Sequence, residues 1–213
     1  MSGARGPTLT ERRAADLRLE VARVAMRIFT EDDAVTATVE RIAAEAGISA
    51  RTFHRHFPAK EDVVVPLFRY SAELGVAVLR AAAPDADPVS VLVDAVLAQP
   101  RQTGLTEADR RFMQLIRRTP ELRRRWLELD HDLCQAMTDF LVTRAGVVRD
   151  PDLPQLPGRL VAGAARYVTE QWITSSFPDA MDSRMRTAIT IALAGLLPRP
   201  PAPLPPAPTA SRR

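Results

Sequence analysis

Apolar residues recur at three- and four-residue intervals along nearly the whole chain, and no stretch alternates with period two for long enough to build a sheet. An all-α fold is expected. The stripe Leu17, Val21, Val24, Ala25, Ile28 and Phe29 marks a first helix, opened near Thr10 as N-cap and stopped at Glu31-Asp32-Asp33. Val39, Ile42, Ala43 and Ala46 mark a short second helix after Thr38, closed by Gly47, the residue best able to take the left-handed C-cap conformation. Ser49 caps a third helix from Ala50 to about Phe57, where Pro58 blocks continuation. A fourth runs from near Lys60 to about Ala82, before the break Pro84 to Pro88. Further helices are expected near 89–99, 106–118, 120–145, 156–176 and 180–197, about nine in all.

These elements divide the chain into a flexible arm (1–9), a first helical domain (10–60), a second helical domain (61–197) and a tail (198–213). The tail, PRPPAPLPPAPTASRR, has seven prolines and no core-forming pattern, so an extended, disordered segment is expected.

A chain of 213 residues can bury a sizeable core. Its single cysteine, Cys134, excludes an internal disulfide framework and a thiolate cluster for zinc. The opening residues carry charges where a secretory leader needs an apolar stretch, and the apolar run near Ala192 to Leu197 is far short of a membrane span. A cytoplasmic protein without a membrane partner is expected. Net charge is only +3, so a nucleic-acid partner has to be argued from where charge sits.

Residues 38–57 supply two short helices joined by a glycine turn, the arrangement that lets one helix brace DNA while the next enters the major groove. In the third helix Ala50, Phe53 and Phe57 share a packing face, which leaves Arg51, Thr52 and Arg55 on the other. Arg51 and Arg55 can each fork onto guanine or phosphate, and Ser49, His54 and His56 flank them. No carboxylate interrupts Gly47 to Lys60, so nothing in that run repels phosphate.

The segment TVERIAAEAGISARTFHRHFPAKEDVV resembles the TetR family of transcriptional regulators, and the likeness covers roughly residues 14–66. It implies an all-α protein with a three-helix helix-turn-helix DNA-binding domain and a C-terminal helical domain for ligand binding and dimerisation. It also implies phosphate contacts from Thr38 and from Lys60, the only lysine in the chain. Both positions suit the anion-binding character of a helix N-terminus. Two positions depart from the family pattern: His54 stands where a tyrosine is frequent, and Asp33 where a glycine is frequent. Histidine can still donate to phosphate, and aspartate tolerates the left-handed region.

Similar proteins enclose an effector cavity with the middle helices and dimerise through the last two. By that likeness Phe112, Met113, Ile116, Trp126, His131, Cys134, Tyr167 and Gln171 are candidate effector contacts. No charged residue commands the middle of this set, so a small, mostly apolar or uncharged aromatic effector is expected. The small-residue cluster Ala162-Gly163-Ala164-Ala165 lets helix axes approach closely. With Arg166, Ile189, Ile191, Leu193 and Leu196 it forms the candidate dimer interface of a repressor reading a palindromic operator.

Asp130-His131-Asp132 with Cys134 offers metal-ligand chemistry, but on a helix only His131 and Cys134 share a face, too few for a site. The chain has no phosphate-binding glycine loop, nucleophile elbow or acid/base pair, so no catalytic residue, metal or cofactor is expected. The partners expected are double-stranded operator DNA, a second copy of the chain and a small-molecule effector.

Overall fold

A computed structural model describes residue 6 and residues 8–128, 131–174 and 180–196. The regular elements among those residues are all helices, with no strand. In chain order the helices are α1 (Leu9–Glu31), α2 (Val39–Glu45), α3 (Ala50–His56), α4 (Val65–Ala81), α5 (Pro88–Val96) and α6 (Ala98–Thr103). After them come α7 (Glu107–Arg118), α8 (Pro120–Glu128), α9 (His131–Arg144), α10 (Leu156–Thr174) and α11 (Met181–Ala194).

Local chemistry moves several boundaries from where the periodicity places them. Thr8, not Thr10, caps α1, because Glu11 completes a capping box with it: Thr8 N–H donates to Oε2 at 2.7 Å and Glu11 N–H to Thr8 Oγ1 at 3.2 Å. The fourth helix is not continuous from Lys60. Pro66 lacks an N–H, and Lys60–Val64 closes instead as a 3-10 turn in which Asp62 accepts the Ala59 N–H. The 89–99 segment divides at Leu97 into α5 and α6, and 120–145 divides into α8 and α9. The proline-rich tail lies outside the described residues.

Two clusters of buried side chains organise the molecule. The first joins Ile28 and Phe29 of α1, Ile42 of α2, Phe53 of α3 and Val63 to Phe112, Leu115 and Ile116 of α7 and Leu122 of α8. The α7–α8 hairpin thus completes the core under the N-terminal helices, although it comes some fifty residues later in sequence. The second cluster gathers α4, α5, α9, α10 and α11 around Leu92, Met137, Leu141, Val161, Ile173 and Met185. Here α10 crosses α9 so closely at Gly158 that an added Cβ would stand 1.9 Å from the Cys134 carbonyl oxygen. Thr138, the only buried polar side chain among the described residues, sits in that crossing, donating to Cys134 O at 2.9 Å and accepting from Gly158 N at 3.0 Å. No described helix is long and apolar enough to cross a membrane.

Candidate nucleic-acid interface and cavity

Three local devices set the geometry of α2 and α3. Thr38 Oγ1 accepts the Arg41 N–H at 3.2 Å and so caps α2. Gly47, at φ 68°, turns the chain out of α2, while the N–H groups of Gly47 and Ile48 close on Ala44 O (3.1 Å) and Ala43 O (2.9 Å). Ser49 Oγ then accepts the Thr52 N–H at 3.1 Å and pairs with the Thr52 hydroxyl at 3.0 Å. The fully buried Phe53, its ring centroid 4.9 Å from that of Phe57, fixes the roll of α3. Arg51, His54 and Arg55 are left exposed on the opposite side, and Thr52 is half-buried.

Four of the neighbouring carboxylates are held by arginines. Arg41 binds both Asp32 and Glu45, and these hydrogen bonds, Asp32's foremost, raise its pKa. Asp33 pairs with Arg118 at 2.6 Å, and Asp62 with Arg125 at 2.7 Å. Asp33 stands at φ 49°, in the left-handed region that aspartate tolerates. By contrast, Arg51 and Arg55 form no ion pair with any described residue, and α3 presents two uncommitted guanidinium groups to solvent.

Two expected contacts sit differently. Lys60 is half-buried and its Nζ donates to the Val35 carbonyl at 2.8 Å, so it braces the turn between α1 and α2 and has only its remaining donors for a phosphate. His56 does not join the exposed face: it is half-buried, and its Nε2 is inaccessible and without a hydrogen-bond partner. Burial first, then the charges of Arg55 and Arg18, push its pKa below 6.5. The unfolded chain therefore takes up the proton more readily than the folded one, and stability is lost as pH falls through about 6.5. Thermal unfolding followed between about pH 7.5 and 5.5 is expected to show a midpoint that drops on acidification, and His56→Gln is expected to flatten that drop. An unchanged pH slope in the variant would remove His56 from the account.

Beneath the first core, at its contact with the second, lies a cavity of about 230 Å³. Phe112 and Met113 of α7 and Trp126 of α8 line it, together with Phe68 of α4 and Trp172 of α10. The remaining effector candidates do not. Ile116 is fully buried in the first core, and Cys134 is buried between α9 and α10, where desolvation raises its thiol pKa. His131, Tyr167 and Gln171 are exposed. Among the described residues no group of three or more His, Cys, Asp or Glu side chains is placed to hold a metal ion.

The candidate dimer residues also separate. Ile189 and Leu193 are buried in the chain's own core and Leu196 packs half-buried against it, while Ala162 and Arg166 line the cavity. Gly163 and Ile191 face outward, and Gly163 has open space above it. Helical geometry explains the division: 162, 165, 166 and 169 share one side of α10, and 163 and 167 another.

Comparison with known proteins settles what this arrangement belongs to. Residues 22–66 match the family described as bacterial regulatory proteins, tetR family, and residues 86–196, over half of the chain, match the MftR C-terminal domain of such regulators. The chain belongs to the TetR family. It is a transcriptional regulator, not an enzyme. This TetR family regulator is 26% identical over 196 residues to the HTH-type transcriptional regulator TcmR of Streptomyces glaucescens, spanning 84% of this chain and 87% of TcmR. Its fold is shared with FadR of Thermus thermophilus, a repressor solved in complex with lauroyl-CoA, at TM-score 0.59 and 24% identity, covering 87% of this chain and 98% of FadR. SmeT, the repressor of the Stenotrophomonas maltophilia efflux pump SmeDEF, superposes at TM-score 0.57 with 19% identity over 88% of this chain and 95% of its own.

In this TetR family protein, sequence reasoning missed Phe68, Trp172 and Met26 on the cavity wall, and Arg118 and Arg125 as ties to the DNA-binding helices. In the sequence the three cavity residues are apolar positions of helices, indistinguishable from filled core. The two arginines looked like any others in a run of solvated charges.

Proposed function

We propose that the protein is a cytoplasmic homodimeric repressor that reads a palindromic operator through α3 and leaves it when a small, mostly apolar effector fills the cavity. The observation that carries the reading is the exposed, unpaired Arg51 and Arg55 beside carboxylates that arginines of α2, α7 and α8 already hold. Arg51, Thr52, His54 and Arg55 are the proposed contacts to bases and backbone, with Thr38, Ser49 and Lys60 at the phosphates.

A row of exposed apolar side chains on α10 supports the dimer. Leu156, Leu160, Gly163 and Tyr167 follow one another at i, i+4, i+7 and i+11, and Ile191 on the adjacent α11 is 69% exposed. This face replaces Ile189 and Leu193 as the proposed interface, and reading a palindrome requires it to set the two α3 helices about 34 Å apart.

The α7–α8 hairpin links effector to DNA. Phe112, Met113 and Trp126 face the cavity, Leu115, Ile116 and Leu122 lie in the core under α3, and Arg118 and Arg125 grip the turns on either side of the helix-turn-helix. A ligand that displaces the hairpin shifts both grips, and by linkage operator DNA weakens the ligand by the same factor as the ligand weakens DNA.

Selection of bound sequences from random duplex DNA, followed by titration of the winner at two salt concentrations, tests the reading. A palindromic consensus bound by two protomers is expected, and no enrichment over random DNA would overturn it. On that operator Arg51→Ala is expected to lose about 1–3 kcal/mol of specific binding. Lys60→Ala is expected to weaken all sequences alike and to flatten the salt dependence. Operator affinity unchanged in Arg51→Ala would remove that residue from the reading face.

A further inference from the structure

We propose that the effector is an uncharged, planar bicyclic compound with a carbonyl oxygen at one end, its rings laid against Phe68, Phe112 and Trp126 and its oxygen held by Gln99 of α6 and Trp172 of α10. This rests on the reading of the cavity as an effector site and narrows that site to one chemical class.

Two hydrogen-bond donors in the cavity wall stand unused. Trp172 lines the cavity at 7% exposure, and its indole N–H donates to no described residue. A buried indole N–H ordinarily finds an acceptor. The side-chain amide of the half-buried Gln99 lines the same cavity and is likewise without a hydrogen-bond partner among the described residues. Both belong to one end of the space. Trp172 and Met181, each in the lining, flank the connection from α10 to α11, and Arg101, two residues after Gln99, is tied to Asp182 beside Met181. A ketone or lactone carbonyl, which has two lone pairs and no proton of its own, satisfies both donors.

The other end of the space is aromatic. Phe68 lies 6.4 Å from Phe112 at an interplanar angle of 23°, and 6.5 Å from Trp126 at 33°. These rings make a flat wall that suits a planar body. Arg166, its guanidinium carbon 5.7 Å from the Trp126 centroid, precedes Trp172 by six residues, so the ring wall and the donors lie about 9 Å apart along α10. At about 230 Å³ the cavity falls below the roughly 300–1,000 Å³ of drug-sized sites, which limits the body to about two rings.

The charged groups of the lining are spent within the chain. Asp109 Oδ2 accepts from the N–H and hydroxyl of Thr106 at 2.9 and 2.6 Å in the cap of α7. Arg166 stacks on Trp126, is attracted by Glu170 and has a further partner besides. The Thr169 hydroxyl is also engaged, donating to Ala165 O at 3.1 Å. An ionic ligand would therefore bury a charge with no uncommitted counter-charge to meet it, whereas a neutral acceptor meets donors that are free.

Equilibrium dialysis of the full-length protein against coumarin, naphthalene, coumarin-3-carboxylate and 1-decanol tests the assignment, with release of the selected operator followed on the same samples. Coumarin has two planar rings and a lactone carbonyl, and naphthalene has the rings alone. The ratio of coumarin to naphthalene affinity cancels general changes in packing, and it is expected to fall about three- to tenfold in Gln99→Met and in Trp172→Phe. Two variants on different helices keep the test decisive if one of them fails to fold. A ratio unchanged in one variant removes that donor, and a ratio unchanged in both overturns the carbonyl contact. Coumarin-3-carboxylate binding as tightly as coumarin overturns the neutral assignment, 1-decanol binding more tightly than coumarin overturns the planar one, and no binding by any probe overturns the whole inference. Operator release by 1-decanol but not by coumarin leaves the cavity an effector site and overturns only the ligand class. Coumarin that binds with the expected ratios yet leaves the operator bound upholds the ligand class and overturns the effector reading instead.

Discussion

Gly158→Ala is expected to lower the thermal midpoint of the protein by about 6–12 °C, a loss of about 3 kcal/mol. The added methyl group would lie 1.9 Å from the Cys134 carbonyl oxygen and 2.7 Å from Thr138 Oγ1. Rotating a flexible side chain aside cannot relieve this, because the nearer obstacle is the backbone of α9. Separating α9 from α10 would also stretch the two hydrogen bonds of Thr138, a buried hydroxyl with no water to replace them. Circular dichroism on heating reads the result. A midpoint within about 2 °C of the parent would mean that α10 can slide over α9 freely, and the crossing would not be the close contact described here.

The second large effect is expected from Phe53→Ala. A fully buried phenylalanine truncated to alanine costs about 3–5 kcal/mol, and α3 has only seven residues, too few to hold a helix without the side chain that anchors it. Operator binding should therefore be lost, while the second core, which contains no residue of α3, keeps its helical signal. This outcome differs from Arg51→Ala, where the fold persists and only the contact disappears. Operator affinity retained in Phe53→Ala would show that α3 is held by something other than its aromatic anchor.

The helix-turn-helix is the part of the fold most legible in the sequence, because local chemistry dictates it. Thr38, Gly47, Ser49 and the Phe53–Phe57 pair each act within a few residues of their own position, and the structure places each in the role its type implies. The same locality misleads at Thr10, since Thr8 has the partner at Glu11 that Thr10 lacks. His56 escapes a local reading because its burial depends on elements distant in sequence, with Arg18 of α1 beside it.

The cavity was legible only in part, for a reason that periodicity cannot remove. Phe112, Met113 and Trp126 line it while Ile116, one turn beyond Phe112, points into solid core. An apolar position looks the same whether the space in front of it is filled or open. Arg166 and Gly163 were grouped by proximity in sequence, yet α10 turns them to different sides. The row from Leu156 to Tyr167 can be written down as a helical stripe, but its exposure depends on where α11 packs.

The hairpin of α7 and α8 constrains how such a regulator can diverge. Its side chains serve the ligand wall and the core shared with the N-terminal helices at once, so a change at Phe112 that admits a new ligand also disturbs that core. Val96, Pro100 and Thr169 line the same cavity without belonging to that core. New chemical specificities should therefore arise on the α5, α6 and α10 side, with the hairpin inherited nearly unaltered by descendants that keep the same target sequence. A designer seeking a sensor for another compound has the same division of labour to follow: randomise one wall, and leave the other alone.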